Sequence, residues 1–143
     1  MLTYKYIIGM ANQRYTQEII DLVWNKGRIV SEFPADQVRK DACGAWMIKE
    51  HYGNRGSVFG WEIDHIYPEK KLQERDVPLE LIDNINNLRP LNWKNNLSKG
   101  TDYPVYHANV KSDEGRNVEC DEEMKVNEPT QKKISSLFSD YNI

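Results

Sequence analysis

Trp61-Glu62-Ile63-Asp64-His65-Ile66-Tyr67-Pro68, answered downstream by Asn87-Leu88-Arg89-Pro90-Leu91 and Asn96-Leu97-Ser98-Lys99-Gly100, is the part of this chain that decides its reading. The first run reads as a strand over 60–66, and the last sits in a short helix. Asp64 and His65 stand side by side within that strand. A carboxylate beside an imidazole can hold a hard divalent cation and set a base next to it, and hydrolysis of a phosphodiester needs both. Taken alone, an Asp-His pair is more often a hydrogen-bonded closure of a turn. The asparagines and prolines downstream turn the reading toward a site.

The segment 60–102 resembles the HNH endonuclease family with its ββα-metal motif. The resemblance rests on the aromatic lead-in, on Ile63-Asp64-His65-Ile66 with Pro68, on Asn87 to Leu91, and on Asn96 with Lys99-Gly100. Asn87 follows His65 by 22 residues and Asn96 follows Asn87 by 9, the second being the spacing of the Asp-His…Asn…Asn subtype. The resemblance implies an α+β fold with Asp-His at the end of one strand, an Asn on the return strand and a third polar residue in a short helix. It also implies an enzyme that cuts DNA, with RNA as a second substrate class.

Chemistry and resemblance together assign the roles. Magnesium prefers oxygen ligands, keeps several waters and usually takes one or two protein groups. Asp64 and the side-chain carbonyl of Asn96 meet that demand, with manganese as the alternative ion, and Asn95 is the substitute for Asn96. His65, with a reference pKa of about 6.5, is largely neutral at pH 7 and can accept a proton from water. Strand alternation by itself aims His65 away from Asp64. In the family the turn after the strand lets the two converge, with the histidine as general base. Asn87 then holds the loop and the histidine in position. On this reading Asp64→Ala abolishes cation binding and cleavage and leaves the fold intact. Lys99, Arg89 and Lys94 are the candidate substrate contacts, cations that can position a phosphate backbone or stabilise developing charge. For Arg89 and Lys94 a solvated helix face is the competing account.

Two departures from the family matter. Many of its members bind a structural zinc through two CxxC pairs, whereas the only cysteines here are Cys43 and Cys120, so the fold must rest on an apolar core. The loop after Pro68, often Gly-Gly-Ser-Asp in relatives, is the charged run Glu69-Lys70-Lys71-Leu72-Gln73-Glu74-Arg75, suited to touching a substrate or a partner.

At 143 residues and 39% hydrophobic content the chain is expected to form one domain with a modest core. Within it we distinguish a helical lead-in over 1–38, a nuclease core over 39–102, and an acidic segment with a terminal helix over 103–143. Two distant cysteines and no cationic start followed by an apolar run point to the cytoplasm, and no stretch reaches transmembrane length. The net charge of −3 opposes a nucleic-acid partner at first. Between Ser112 and Pro129, however, lie seven acids against two bases, so the remainder is about +2. Binding through phosphate contacts is expected to be weak and salt-sensitive.

Element by element, Met1–Tyr6 reads as a short strand and Thr16–Lys26 as a helix stopped by Gly27. A turn and short helix are expected over Phe33–Cys43. Ala45–Lys49 is expected as the hairpin partner of 60–66 across a turn at His51–Gly56. Lys111–Glu128 reads as irregular and mobile. Thr130–Tyr141 reads as a helix capped by Thr130, with Ile134, Leu137, Phe138 and Tyr141 on one face to cover the core, pair with a second copy or dock on a partner. Trp24, Trp46, Trp61, Trp93 and Cys43 are expected in the core, and His51 and His107 at the surface. Two other function classes compete: a catalytically idle HNH-shaped module that binds nucleic acid, and an interaction protein acting through the acidic segment.

Overall fold

The computed structural model describes residues 14–143, and the strand expected over Met1–Tyr6 lies outside them. Helix α1 (Gln17–Trp24) opens the described chain, with the Thr16 hydroxyl accepting from the Ile19 amide. Three short strands follow, β1 (Arg28–Ile29), β2 (Val38–Lys40) and β3 (Trp46–Ile48), paired antiparallel in that order. Then come β4 (Trp61–His65), the short helices α2 (Glu69–Gln73) and α3 (Leu79–Ile82), β5 (Leu88–Asn92) and α4 (Trp93–Lys99). A long hairpin, β6 (Val105–Asp113) with β7 (Arg116–Lys125), and helix α5 (Glu128–Leu137) complete the fold. The protein is thus a mixed α and β domain, and among the described residues no helix is long and apolar enough to cross a membrane.

The ribbon β4–β5 organises the centre. Its strands run antiparallel, pairing Trp61 with Asn92, Asp64 with Arg89 and His65 with Leu88. Alternation along a strand sends neighbours to opposite faces, and residues directly opposite across a pair share one. One face therefore carries Trp61, Ile63, His65 and Leu88; the other carries Glu62, Asp64, Arg89 and Leu91. The first packs against α1, where Ile20, Val23 and Trp24 join Met47, Trp61 and Leu88 in one buried cluster. The Trp24 and Trp61 rings lie 5.2 Å apart, and both indole N–H groups donate to backbone carbonyls, of Ala35 and Lys49. Buried indoles need such partners. Leu91 and Ile66 belong to a second cluster with Leu72, Val77, Ile82, Tyr106, Ile134 and Phe138.

Local chemistry fixes both ends of the ribbon. At Gly60 a Cβ would lie 1.9 Å from the Asn54 carbonyl oxygen, so only glycine lets the preceding loop close onto the start of β4. At the far end Asn92 caps α4 by accepting from the Lys94 amide, while its own amide donates to the Val58 carbonyl.

Four sequence expectations are corrected. The partner of β4 is β5, and the 45–49 segment pairs as β3 with β2 instead. The short helix expected over Phe33–Cys43 is a single turn at Pro34 followed by β2, because Val38–Lys40 sits between two partner strands. The acidic stretch is ordered as most of the β6–β7 hairpin. The last helix is capped by Asn127, whose side chain accepts from the Thr130 amide, since Pro129 is tolerated in the first turn where no N–H is needed. That helix ends at Leu137; its Ile134 and the following Phe138 lie fully in the core, with Leu137 and, in the next turn, Tyr141 against it.

Candidate functional site

Asp64 and His65 do not converge. Pairing continues through His65 opposite Leu88 and on to a bond from the Ile66 amide to the Asn87 carbonyl, so the strand has not ended where the two would need to turn together. Each side chain has its own surroundings.

Asp64 faces α4 and is 3% exposed. Its Oδ2 accepts from Arg89 Nε at 2.9 Å and its Oδ1 lies 3.2 Å from the Lys99 ammonium, which is itself fully enclosed. Lys99 Nζ also donates to the His65 carbonyl at 3.0 Å. Burial pulls the Lys99 pKa down and the Asp64 carboxylate opposes that pull. The carboxylate is thus already matched by two cations. Asn96 is one turn away, its amide donating to Glu62 Oε1 at 3.0 Å, and Glu62 is also held by Arg55. The arrangement pairs Asp64 with Lys99 and Asn96 with Glu62, and does not bring Asp64 and Asn96 onto one ion. Asn95, the substitute ligand, is fully engaged in holding α4 to β6: its Oδ1 accepts from the Asn109 and Val110 amides and its Nδ2 donates to Asp41 and the Val110 carbonyl. Lys94 lies over the Trp93 ring at 5.6 Å.

His65 points to the other face. Its Nε2 is 2.7 Å from Asp83 Oδ1 and 3.3 Å from the Tyr15 hydroxyl. Glu69, at the start of α2, completes a group in which one imidazole nitrogen and two carboxylate oxygens all lie within 4.8 Å of one another. The Arg14 guanidinium bridges the two carboxylates: Nε donates to Asp83 Oδ2 at 3.0 Å, Nη1 to Glu69 Oε1 at 3.0 Å, and Nη2 contacts both acids. It holds the Glu69 carboxyl below the usual carboxylate range. Burial beside Asp83 raises the Tyr15 pKa, so Tyr15 stays a neutral donor.

Asn87 braces the His65 side. It is fully buried; its Oδ1 accepts from the Tyr67 amide at 2.8 Å, and its Nδ2 donates to the carbonyls of Ile82 at 3.0 Å and Tyr67 at 3.2 Å. These bonds clamp the segment after His65 to the segment carrying Asp83. Asn87→Ala leaves one buried donor and two buried acceptors without partners, which costs roughly 2–3 kcal/mol. Chemical denaturation should show that loss, and Asn87→Asp, which keeps the acceptor alone, should recover only part of it.

Sequence reading missed Glu69, Asp83, Arg14 and Tyr15. Glu69 had a usable signal, since it follows the motif directly at Pro68. Asp83 had none: it stands 18 residues from His65 and reaches it only through the α2–α3 connection. Cys43 is buried, and its thiol is pushed up to about 12 by burial and by Asp41, which removes it as a nucleophile. No family model, no curated protein and no solved structure matches this chain.

Proposed function

We propose that this protein is a metal-dependent nuclease of HNH type, hydrolysing phosphodiester bonds in DNA at a centre formed by His65, Glu69 and Asp83. The observation that carries the reading is the convergence of an imidazole and two carboxylates: His65 at the end of β4, directly after Asp64, with Glu69 and Asp83 from the α2–α3 connection that leads to β5. The donor set fits a divalent ion, because the two carboxylates supply the oxygen ligands that magnesium and manganese prefer. Arg14 lies across both acids and is the positive charge that a divalent ion would displace. Glu69 and Asp83 would hold the ion, which when bound lowers the pKa of water and neutralises charge on the phosphoryl oxygens. His65 accepts the proton of the attacking water, and Asp83 sets the imidazole's orientation. Asp64 anchors Arg89 and Lys99 and takes no part as a ligand.

Arg14 also favours a second reading, that of an HNH-shaped module that binds nucleic acid without cutting it, since its guanidinium competes with any metal for the same oxygens. Titration calorimetry with Mn²⁺ and a plasmid-cleavage assay separate the two. Glu69→Ala/Asp83→Ala is expected to lose at least ~10-fold in metal affinity and all cleavage, whereas Asp64→Asn keeps its metal. A wild-type protein that binds no divalent ion and cuts no substrate would leave the idle module standing.

A further inference from the structure

On the Asp64 side of the ribbon lies a cavity of about 610 Å³ lined by five cations, Lys26, Arg28, Arg89, Lys125 and Lys133. Among the described residues no Asp or Glu lines it, although acids outnumber bases over the whole chain. An adjoining depression shares Lys26, Arg28 and Arg89 and adds Asp41. Among the described residues Asp41 forms no ion pair with them: its Oδ1 accepts from the Cys43 and Ala45 amides, and its Oδ2 from the Asn92 amide and Asn95 Nδ2.

The cations are held there at a cost. Lys26 is fixed by the Ile85 and Leu88 carbonyls, and burial together with the nearby Lys133 pulls its pKa down to about 8. Arg89 gives its Nε to Asp64 and lies over the Tyr106 ring at 5.0 Å. Its Nη2 is buried and, among the described residues, meets no hydrogen-bond partner. Thr130 in the first turn of α5 borders the same space, adding the positive end of a ten-residue helix. Arg89 is paired with Asp64, but among the described residues Lys26, Arg28, Lys125 and Lys133 form no ion pair, and like charges gathered this way destabilise a fold unless an anion relieves them. Two of the lining residues, Ile66 and Arg89, immediately follow His65 and Leu88 in the ribbon.

We propose that this cavity is a phosphate site that grips the backbone of a nucleic acid on the face of the ribbon opposite the His65 centre, holding a phosphate other than the one that reacts. A polymer is favoured over a free phosphate because the volume exceeds one phosphate group and five cations line it. The choice of polymer rests on the nuclease reading, whereas the anion site stands on the cavity.

The test uses the full chain without metal and a fluorescein-labelled 20-base-pair duplex, followed by anisotropy across salt concentrations. Arg28→Gln/Lys133→Gln changes only exposed side chains and is compared with Arg116→Gln/Lys132→Gln, which removes the same charge elsewhere. The cavity variant is expected to bind at least about 10-fold more weakly at low salt and to flatten the salt slope by up to about 2, roughly 0.9 for each lost phosphate contact. The control variant should change neither. Equal affinity and slope in both variants would overturn the site. Binding of inorganic phosphate or a mononucleotide at the cavity with no duplex binding would overturn the backbone assignment. Cleavage is scored separately: weakened binding in a protein that never cuts keeps this site and removes the nuclease reading, while normal cutting with unchanged binding does the reverse.

Discussion

Asp64→Ala is expected to lower stability by about 3–5 kcal/mol, the usual consequence of removing one member of a buried ion pair. Arg89, largely buried, and Lys99, fully enclosed, would be left without that counter-charge. For a domain of this size the loss corresponds to a fall in melting temperature of roughly 10–20 °C. In an Arg89→Met/Lys99→Met background the same substitution should cost far less, because the charges it strands are gone. A metal ligand behaves in the opposite way, since removing it relieves repulsion in the apo protein. Unchanged melting of Asp64→Ala, with loss of cation binding, would return Asp64 to the metal.

His65→Ala should slow cleavage by about 10²–10⁴, the range for losing a positioned general base, while metal affinity stays close to that of the wild type. If metal is lost as completely as in Glu69→Ala/Asp83→Ala, the imidazole is a ligand and another group must take the proton. Cleavage at the wild-type rate would remove His65 from the chemistry altogether.

How much of this was legible in the sequence depends on the range of the interaction. α1 was readable because its apolar spacing is local, and the α4 region was marked by the family-like run from Asn96 to Gly100. The β6–β7 hairpin was written in the sequence and obscured by charge. Tyr106, Ala108 and Val110 alternate inward on one strand, with Val118, Cys120 and Met124 on the other, but the acids between them dominate the composition. A tail cut at Lys111 would therefore remove β7 and the Ile134 and Phe138 that fill the core. The separation of Asp64 from His65 followed from strand alternation, and the expected turn that would cancel it is displaced to Tyr67 by the Asn87 clamp. Glu69 and Asp83 could not be paired with His65 without knowing how α2 and α3 fold back.

Because adjacent residues of β4 serve opposite faces, the ribbon is a wall with an independent wiring plan on each side. A one-residue insertion between Glu62 and Asp64 would swap the two circuits, sending the imidazole toward Lys99 and the carboxylate toward Arg14. Substitutions confined to one side should combine additively with those on the other, so each half of this protein can be retuned without readjusting its neighbour.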